Sequence, residues 1–269
     1  MLRKNSQPTQ VSATRVGEEG AVVNPWDRFI LPVMRRFRRK RAAMLMRKYP
    51  DFEQMHVCDL GGSRHFWEAS GLRPGSLVIL NISDASTQSV SGEFANASIV
   101  LYDGEHIPAR DGEYDLLLSN SVIEHVSPAK RASLCAEMRR VAKQIYLQTP
   151  AWEFPLEPHF AFPFLHWLPH TLGRMLVLIS PFCLLSKPRR VDAWAYFDEI
   201  NLLRRSELKA LFPSATVEKE TFALLPKSHL VFWVCPDTPA VEGRSAGFSE
   251  STNPGGASRP SAIPKNESS

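Results

Sequence analysis

Short apolar runs that end in polar residues or glycine recur through the middle of the chain, and segments with helical spacing separate them. The runs that predict strands are residues 57–60, 77–82, 99–104, 114–120 and 144–148. Before the last run, residues 128–141 predict a helix, because Leu134, Met138 and Val141 recur at the spacing of one helix face. Apolar strands that alternate with helices predict an α/β fold with a doubly wound, mostly parallel sheet covered on both faces.

Beyond the fifth strand the chain becomes rich in aromatic residues and proline. We interpret residues 152–169 as an irregular insertion that begins a longer lid over residues 151–198. The other predicted elements are a helix over 172–179, a loop carrying Asp192, Trp194, Tyr196 and Asp198, a helix over 199–212, and strands over 216–224 and 230–235. We expect the aromatic insertion to lie above the carboxyl ends of the strands, where ligands of such sheets bind.

The two ends of the chain differ from this core. Residues 1–22 and 236–269 are polar or rich in Pro, Gly and Ser, and we expect both to be disordered. Residues 23–50 predict a basic amphipathic helix, with Asn24 as its N-cap and Pro25 at its first position. Residues 51–235 are left as the folded domain.

Positive charge is concentrated in that first helix. Residues 1–50 hold twelve Lys or Arg and three Asp or Glu, whereas the whole chain has a net charge of +4. Two interpretations remain open: residues 28–48 contact an anionic surface such as a membrane, or they form a solvated helix that packs on the domain. Because the body of the chain is net acidic, nucleic acid is not expected as a partner.

Cysteine use and hydropathy bear on the compartment. Cys58, Cys135, Cys183 and Cys235 are widely spaced and form no CxxC or metal-binding pattern, so we expect reduced thiols. The longest apolar run, residues 175–185, is too short to span a bilayer, and the N-terminal residues lack the apolar core of a signal peptide. We therefore expect a cytoplasmic protein whose membrane contact, where it occurs, is peripheral.

The first predicted strand leads directly into a glycine pair. Asp59 precedes Gly61 and Gly62, which allow a tight turn and a close approach of the backbone to a ligand. The dinucleotide fingerprint GxGxxG is absent, because Ser63, Arg64 and His65 follow the glycine pair. The segment is consistent with an ordinary strand-to-helix turn and with a site for a nucleotide-like cofactor.

The order of four segments along the chain resembles the class I S-adenosylmethionine-dependent methyltransferases, in particular those similar to methyltransferase type 11. The segments are DLGG, LVILNIS, YDGEHIP and YDLLLSNSVIEHV, followed by FPLEPHFAFPFLHWLP and DEINLLRRSELKALFPSA. The resemblance covers roughly residues 55–235. It implies a seven-stranded, Rossmann-like sheet with the last strand antiparallel, S-adenosyl-L-methionine as the cofactor, and methylation of a small-molecule, lipid or saccharide acceptor.

The resemblance also implies roles for residues at the strand ends. It assigns the cofactor-binding positions to Asp59, Gly61, Gly62, Asn81, Asp103, Gly104, Ser119 and Asn120. Asn81 stands where the family usually has an acid that binds the ribose hydroxyls. With Ser63 and His65, this departure leaves open a non-catalytic protein that retains the fold. A nicotinamide-dependent oxidoreductase is a further alternative, against which the missing GxGxxG counts.

Candidate catalytic residues lie in the predicted lid. His159 is our candidate general base for a hydroxyl or amine acceptor, with Glu157 orienting it across the stiff Pro158. The same residues are also consistent with a structural turn. His125, at the start of the helix after the fourth strand, is a second candidate base or a packing residue. Methyl transfer from a sulfonium needs no metal, and we expect none.

Overall fold

The computed structural model describes residues 25–63, 66–67, 70–83 and 97–236, with side chains from residue 36 onward. The predicted disordered ends, apart from 236, lie outside these residues, as do Asn24, Arg64 and His65. The helices are α1 Pro25–Lys48, α2 Pro128–Val141, α3 His170–Leu176, α4 Pro181–Ser186, α5 Arg190–Glu199 and α6 Arg205–Leu211. The strands are β1 His56–Leu60, β2 Ser76–Asn81, β3 Ala97–Leu101, β4 Leu116–Asn120, β5 Gln144–Pro150, β6 Leu156–Glu157, β7 Phe162–Pro163, β8 Thr216–Phe222 and β9 Leu225–Val234.

Seven of these strands form one sheet in the order β3-β2-β1-β4-β5-β9-β8. β1 pairs in parallel with β2 and β4, and β4 pairs in parallel with β5. β9 runs antiparallel to both β5 and β8, so the expected antiparallel last strand is confirmed. Since β1 to β5 are parallel, their carboxyl ends meet along one edge of the sheet, where the polar strand-end residues gather.

Helices cover both faces of the sheet, as the apolar strands predict. On one face, α2 and α6 contribute Leu134, Met138 and Leu208 to a buried cluster with the strands. On the other face, Leu45 of α1 and Trp67 pack against β1 and β2. Burial of apolar side chains on both sides is the main force that holds such a sheet together. None of the described helices is long and apolar enough to cross a bilayer.

The insertion between β5 and α6 has its own small core. The short β6–β7 hairpin and helices α3 to α5 surround Phe160, Leu165, Val177 and Tyr196. This segment is therefore more regular than the irregular insertion that its sequence predicts. The aromatic residues fill the core of the segment, with the Phe160 and Tyr196 ring centroids 5.4 Å apart.

Two predictions within this region are wrong. Residues 192–198 are not a loop, because α5 spans Arg190–Glu199 and buries Ala193 and Tyr196 on one helix face. The predicted helix over residues 199–212 is shorter than expected: residues 200–204 are not helical, and α6 begins at Arg205. Their backbone is used elsewhere: the Asn201 N–H donates to the Glu124 carbonyl at 2.8 Å, and Leu203 forms a bridge with Ala151.

Candidate functional site

The glycine turn after β1 is tightly closed by its neighbours. Gly61 has φ +71°, and a Cβ there would lie 2.5 Å from Val122 Cγ2. A Cβ on Gly62 would lie 1.9 Å from Asp59 Oδ2. The turn thus requires glycine at both positions, for conformation at the first and for space at the second.

Asp59 is a buried carboxyl group directly under this turn. Its Oδ2 accepts a hydrogen bond from Trp67 Nε1 at 2.6 Å. Burial raises the pKa of Asp59 to about 7, although the Trp67 hydrogen bond lowers it. A buried carboxyl group of this kind can accept a hydrogen bond from a ligand or form an ion pair with a positively charged ligand group. Either contact would favour the ionised form of Asp59.

The ends of β2 and β3 bring the two other acid or amide positions to the same edge. Asn81 Nδ2 donates to the Gly62 carbonyl at 3.0 Å, which ties β2 to the glycine turn. Because that amide donates to the backbone, its oxygen is the group suited to accept from a ribose hydroxyl. Asp103 accepts the N–H groups of Glu105 and His106 at 2.8 and 2.7 Å, and these bonds lower its pKa.

Arg41 of α1 reaches the ends of β4 and β5. Its Nη1 donates to Asn120 Oδ1 at 2.6 Å and to Gln148 Oε1 at 2.8 Å. Its Nε pairs with Glu220 Oε1 at 3.0 Å across the sheet edge. The pKa of Glu220 is raised by burial, but Arg41 outweighs this and the net shift is downward. The first helix is thereby anchored at the strand ends.

A small, partly open cavity of about 10 Å³ lies between these strand ends and α1. It is lined by Arg41, Leu45, Asp59, Phe66, Leu118, Asn120 and Tyr146. The Tyr146 hydroxyl is buried and has no hydrogen-bond partner among the described residues. A buried hydroxyl, an amide and a carboxyl group line this cavity, which has room for about one water molecule.

His159 and Glu157 form a buried pair in the β6–β7 hairpin. His159 Nδ1 lies 2.6 Å from Glu157 Oε1, and Glu157 Oε2 accepts the Phe160 N–H at 2.8 Å. Burial lowers the pKa of His159, but the Glu157 carboxylate outweighs it and the net shift is upward. Both interpretations of the segment are therefore present together: a structural turn and an oriented imidazole.

His125 meets this pair from the strand side. Its ring centroid lies 5.1 Å from that of His159, and it stacks on Tyr196 at 6.0 Å. Burial, with the nearby His159, lowers the pKa of His125 to about 4, so it is neutral near pH 7. Next to it, Glu124 is fully buried; its Oε2 accepts from Thr149 Oγ1 at 2.8 Å, and its Oε1 has no partner among the described residues.

The cluster of Glu124, His125 and His159 also has a donor set that suits a divalent metal ion. One potential ligand atom from each lies within 4.8 Å of the other two. A general acid–base site uses the same carboxylate and imidazole groups. The donor set alone therefore does not distinguish metal binding from proton transfer.

The structure brings the predicted site residues into two groups. Asp59, Gly61, Gly62, Asn81, Ser119 and Asn120 lie at the carboxyl ends of the parallel strands or directly after them, and Asp103 and Gly104 follow β3. The catalytic candidates His159, Glu157 and His125 cluster together. Sequence reasoning missed Arg41 and Gln148, which meet at Asn120. The one signal for Arg41 is its place in the basic helix, four residues from the buried Phe37 and Leu45.

Comparison with known proteins finds a methyltransferase-like segment. Residues 59–144 match the model of a methyltransferase domain. No curated protein sequence matches the chain. Similar solved structures include magnesium protoporphyrin IX methyltransferase from Synechocystis PCC 6803 with bound SAH, at 12% identity and TM-score 0.49, covering 80% of this chain and 89% of that one. A SAM-dependent methyltransferase from Aquifex aeolicus has 11% identity and TM-score 0.44, covering 72% of this chain and 89% of that one.

The matched segment contains the glycine turn and the first four strands of the sheet, together with α2 and the start of β5. The strand order and the antiparallel β9 agree with the fold that the sequence resemblance implies. The nicotinamide-dependent alternative has no support from this match. Residues 59–144 are thus similar to a methyltransferase domain, which agrees with the resemblance of the sequence to the class I S-adenosylmethionine-dependent methyltransferases.

Proposed function

We propose that this enzyme methylates a hydroxyl group of a lipid or saccharide acceptor, with His159 as the general base and Glu157 as the residue that orients it. The observation that carries the proposal is the 2.6 Å contact between His159 Nδ1 and Glu157 Oε1 in a buried hairpin. Because Nδ1 is engaged, Nε2 is the nitrogen left to receive a proton. The insertion serves as a lid above the strand ends.

When bound, the cofactor supplies an electrophilic methyl group on a sulfonium. A hydroxyl acceptor that took up this methyl group would release its proton, which His159 Nε2 would receive. Glu157 stabilises the resulting imidazolium, which the fold already favours. His125 is neutral and neighbours His159, which makes it a positioning residue or an alternate proton acceptor. Asp59, the glycine turn, Asn81 and Asp103 hold the cofactor.

The test is methyl transfer from methyl-tritiated S-adenosylmethionine to a bacterial membrane lipid extract and to a saccharide fraction. His159→Gln should lower turnover by about 10²- to 10⁴-fold, the usual contribution of a general base. Its affinity for S-adenosylhomocysteine, measured by calorimetry, should stay within about twofold of the wild type. The reason is that His159 does not line the cavity beside Asp59 and Asn120. Full turnover in His159→Gln would rule out the base.

Glu157→Gln separates orientation from mere structure. The wild-type rate should rise with pH through the raised pKa of His159, because only the neutral imidazole accepts a proton. Loss of the carboxylate should move this limb of the profile to lower pH. A Glu157→Gln enzyme with an unmoved limb would contradict the orienting role. Activity that is lost with EDTA and regained with zinc would replace proton transfer with a metal mechanism.

A further inference from the structure

Exposed apolar side chains are concentrated in the insertion. Of the fifteen exposed large hydrophobic residues in the described part of the chain, eight lie between Phe164 and Val191. Met175 is 69% exposed and Leu184 is 61% exposed. Single exposed apolar residues are common, but a group of this size within 28 residues marks an interaction surface.

The helices of the insertion carry most of these residues. Leu172, Met175 and Ile179 follow each other at helical spacing through α3 and the turn after it, while Gly173 and Val177 face the core of the insertion. On α4, Leu184 and Leu185 are exposed and Cys183 is buried. We call the exposed residues Leu172, Met175, Ile179, Leu184, Leu185 and Val191 the apolar insertion face.

Charge around this face is mainly positive, although Asp192 pairs with Arg189 and Asp198 pairs with Arg174. Residues 158–191 contain no Asp or Glu, whereas Lys187, Arg189 and Arg190 follow α4 and are exposed. Helix α1 lies against α4 and adds exposed basic residues. These are Arg36, Arg39, Lys40 and Arg47, which share the solvent side of α1, opposite Phe37, Ala42 and Leu45.

We propose that the apolar insertion face docks on an anionic phospholipid bilayer. Apolar side chains combined with neighbouring Lys and Arg are the two signals that together give stable peripheral binding, which neither gives alone. The basic side of α1, for which the sequence already suggested contact with an anionic membrane through residues 28–48, supplies the second signal. The exposed basic residues of α1 and of the segment after α4 outnumber the acidic residues Asp192 and Asp198 beside them, so the bilayer is the occupant that the charges favour.

If the proposed function holds, docking of this face on a bilayer also restricts the class of methyl acceptor. The insertion that carries this face carries His159 on its β6–β7 hairpin as well. A hydroxyl group presented at the membrane surface, on a lipid or on a saccharide linked to a lipid, would enter beneath the insertion without leaving the bilayer.

The experiment is sedimentation of the full chain with vesicles of phosphatidylcholine alone or with about 30 mol% phosphatidylglycerol. The wild type should sediment with the anionic vesicles and remain in solution with the neutral ones. Met175→Glu combined with Leu184→Glu should weaken binding about tenfold or more, because two carboxylates replace buried apolar contact and repel the lipid. Leu224→Glu is the matched control: Leu224 is 96% exposed but lies in the β8–β9 turn, outside this face.

Failure to bind anionic vesicles, or an equal loss in Leu224→Glu, would overturn the proposal. So would a stable dimer in light scattering that the double variant dissociates while vesicles are not bound. Calorimetric titration with S-adenosylhomocysteine shows that each variant is folded. Vesicle binding without methyl transfer to lipid would uphold the docking face and count against the proposed lipid acceptor, so the two failures are distinct.

Discussion

At the scale of single residues, Asp59 makes the stability of the protein depend on pH. Its pKa is about 7 in the fold and 3.8 ordinarily. Between these values the folded state holds a proton that the unfolded chain has lost, so the free energy of unfolding falls as pH rises. Asp59→Asn removes this loss. We expect the variant to gain stability over the wild type from pH 4 to 7, by at most about 4 kcal/mol.

Urea denaturation at pH 5, 6, 7 and 8 in the absence of cofactor measures this difference. Glu53→Gln is the control, because Glu53 is an exposed carboxylate on the short helical turn before β1. It should follow the wild type at every pH. If the free energy of unfolding changes with pH in the same way for Asp59→Asn and the wild type, ionisation of the Asp59 carboxyl group does not destabilise the folded state.

At the scale of elements, Arg41 joins α1 to the far side of the sheet. Arg41→Met leaves Glu220, 12% exposed as a side chain, and the oxygens of Asn120 and Gln148 without this donor. We expect it to destabilise the fold by about 2 kcal/mol, because three acceptors lose a charged donor while Lys227 still pairs with Glu220. Arg41→Lys should recover little of the stability that Arg41→Met loses, because only a guanidinium can bind three acceptors at once in this planar arrangement.

Chemical denaturation measures the loss, and Arg47→Met provides the control on the same helix. Arg47 is exposed, and its replacement should change stability by less than about 0.5 kcal/mol. Equal stability of the two variants would show that the Arg41 contacts contribute nothing beyond those of a surface arginine.

The elements of the sheet could be predicted because their signal is local. Strands β1, β2, β4 and β5 are apolar runs bounded by polar residues, and α2 begins and ends at the predicted residues Pro128 and Val141. The pattern failed in the insertion, where α5 is an element of ten residues whose apolar spacing is irregular. Its helical structure depends on Ala193 and Tyr196 packing into a core supplied by distant residues.

The site was predictable to the same limited extent. The strand-end residues follow from the sheet, since parallel strands bring their carboxyl ends together. The His159–Glu157 pair follows from two residues in sequence, with Pro158 between them. Arg41 and Glu220 are 179 positions apart, and nothing local in either segment indicates their contact. Long-range pairs of this kind are set by the whole fold.

At the scale of the whole molecule, cofactor binding should stabilise the fold by mass action. S-adenosylhomocysteine at about 100 times its Kd should add about 2.7 kcal/mol, which raises the Tm of a chain of this size by roughly 5–10 °C. NADH at the same concentration should leave the Tm unchanged, because the nicotinamide fingerprint is absent. A shift with NADH and none with S-adenosylhomocysteine would contradict the cofactor.

Two Gly→Ala variants distinguish an effect on cofactor binding from an effect on the stability of the fold. Gly61 and Gly112 have φ of +71° and +63°, so Ala at either costs about 1 kcal/mol of strain. Only at Gly61 would the added Cβ meet a neighbour, Val122 Cγ2 at 2.5 Å, whereas Gly112 has open space. Gly61→Ala should therefore lose about tenfold or more in calorimetric affinity for S-adenosylhomocysteine, and Gly112→Ala should keep the wild-type affinity. Equal affinities in the two variants would place the cofactor away from the glycine turn.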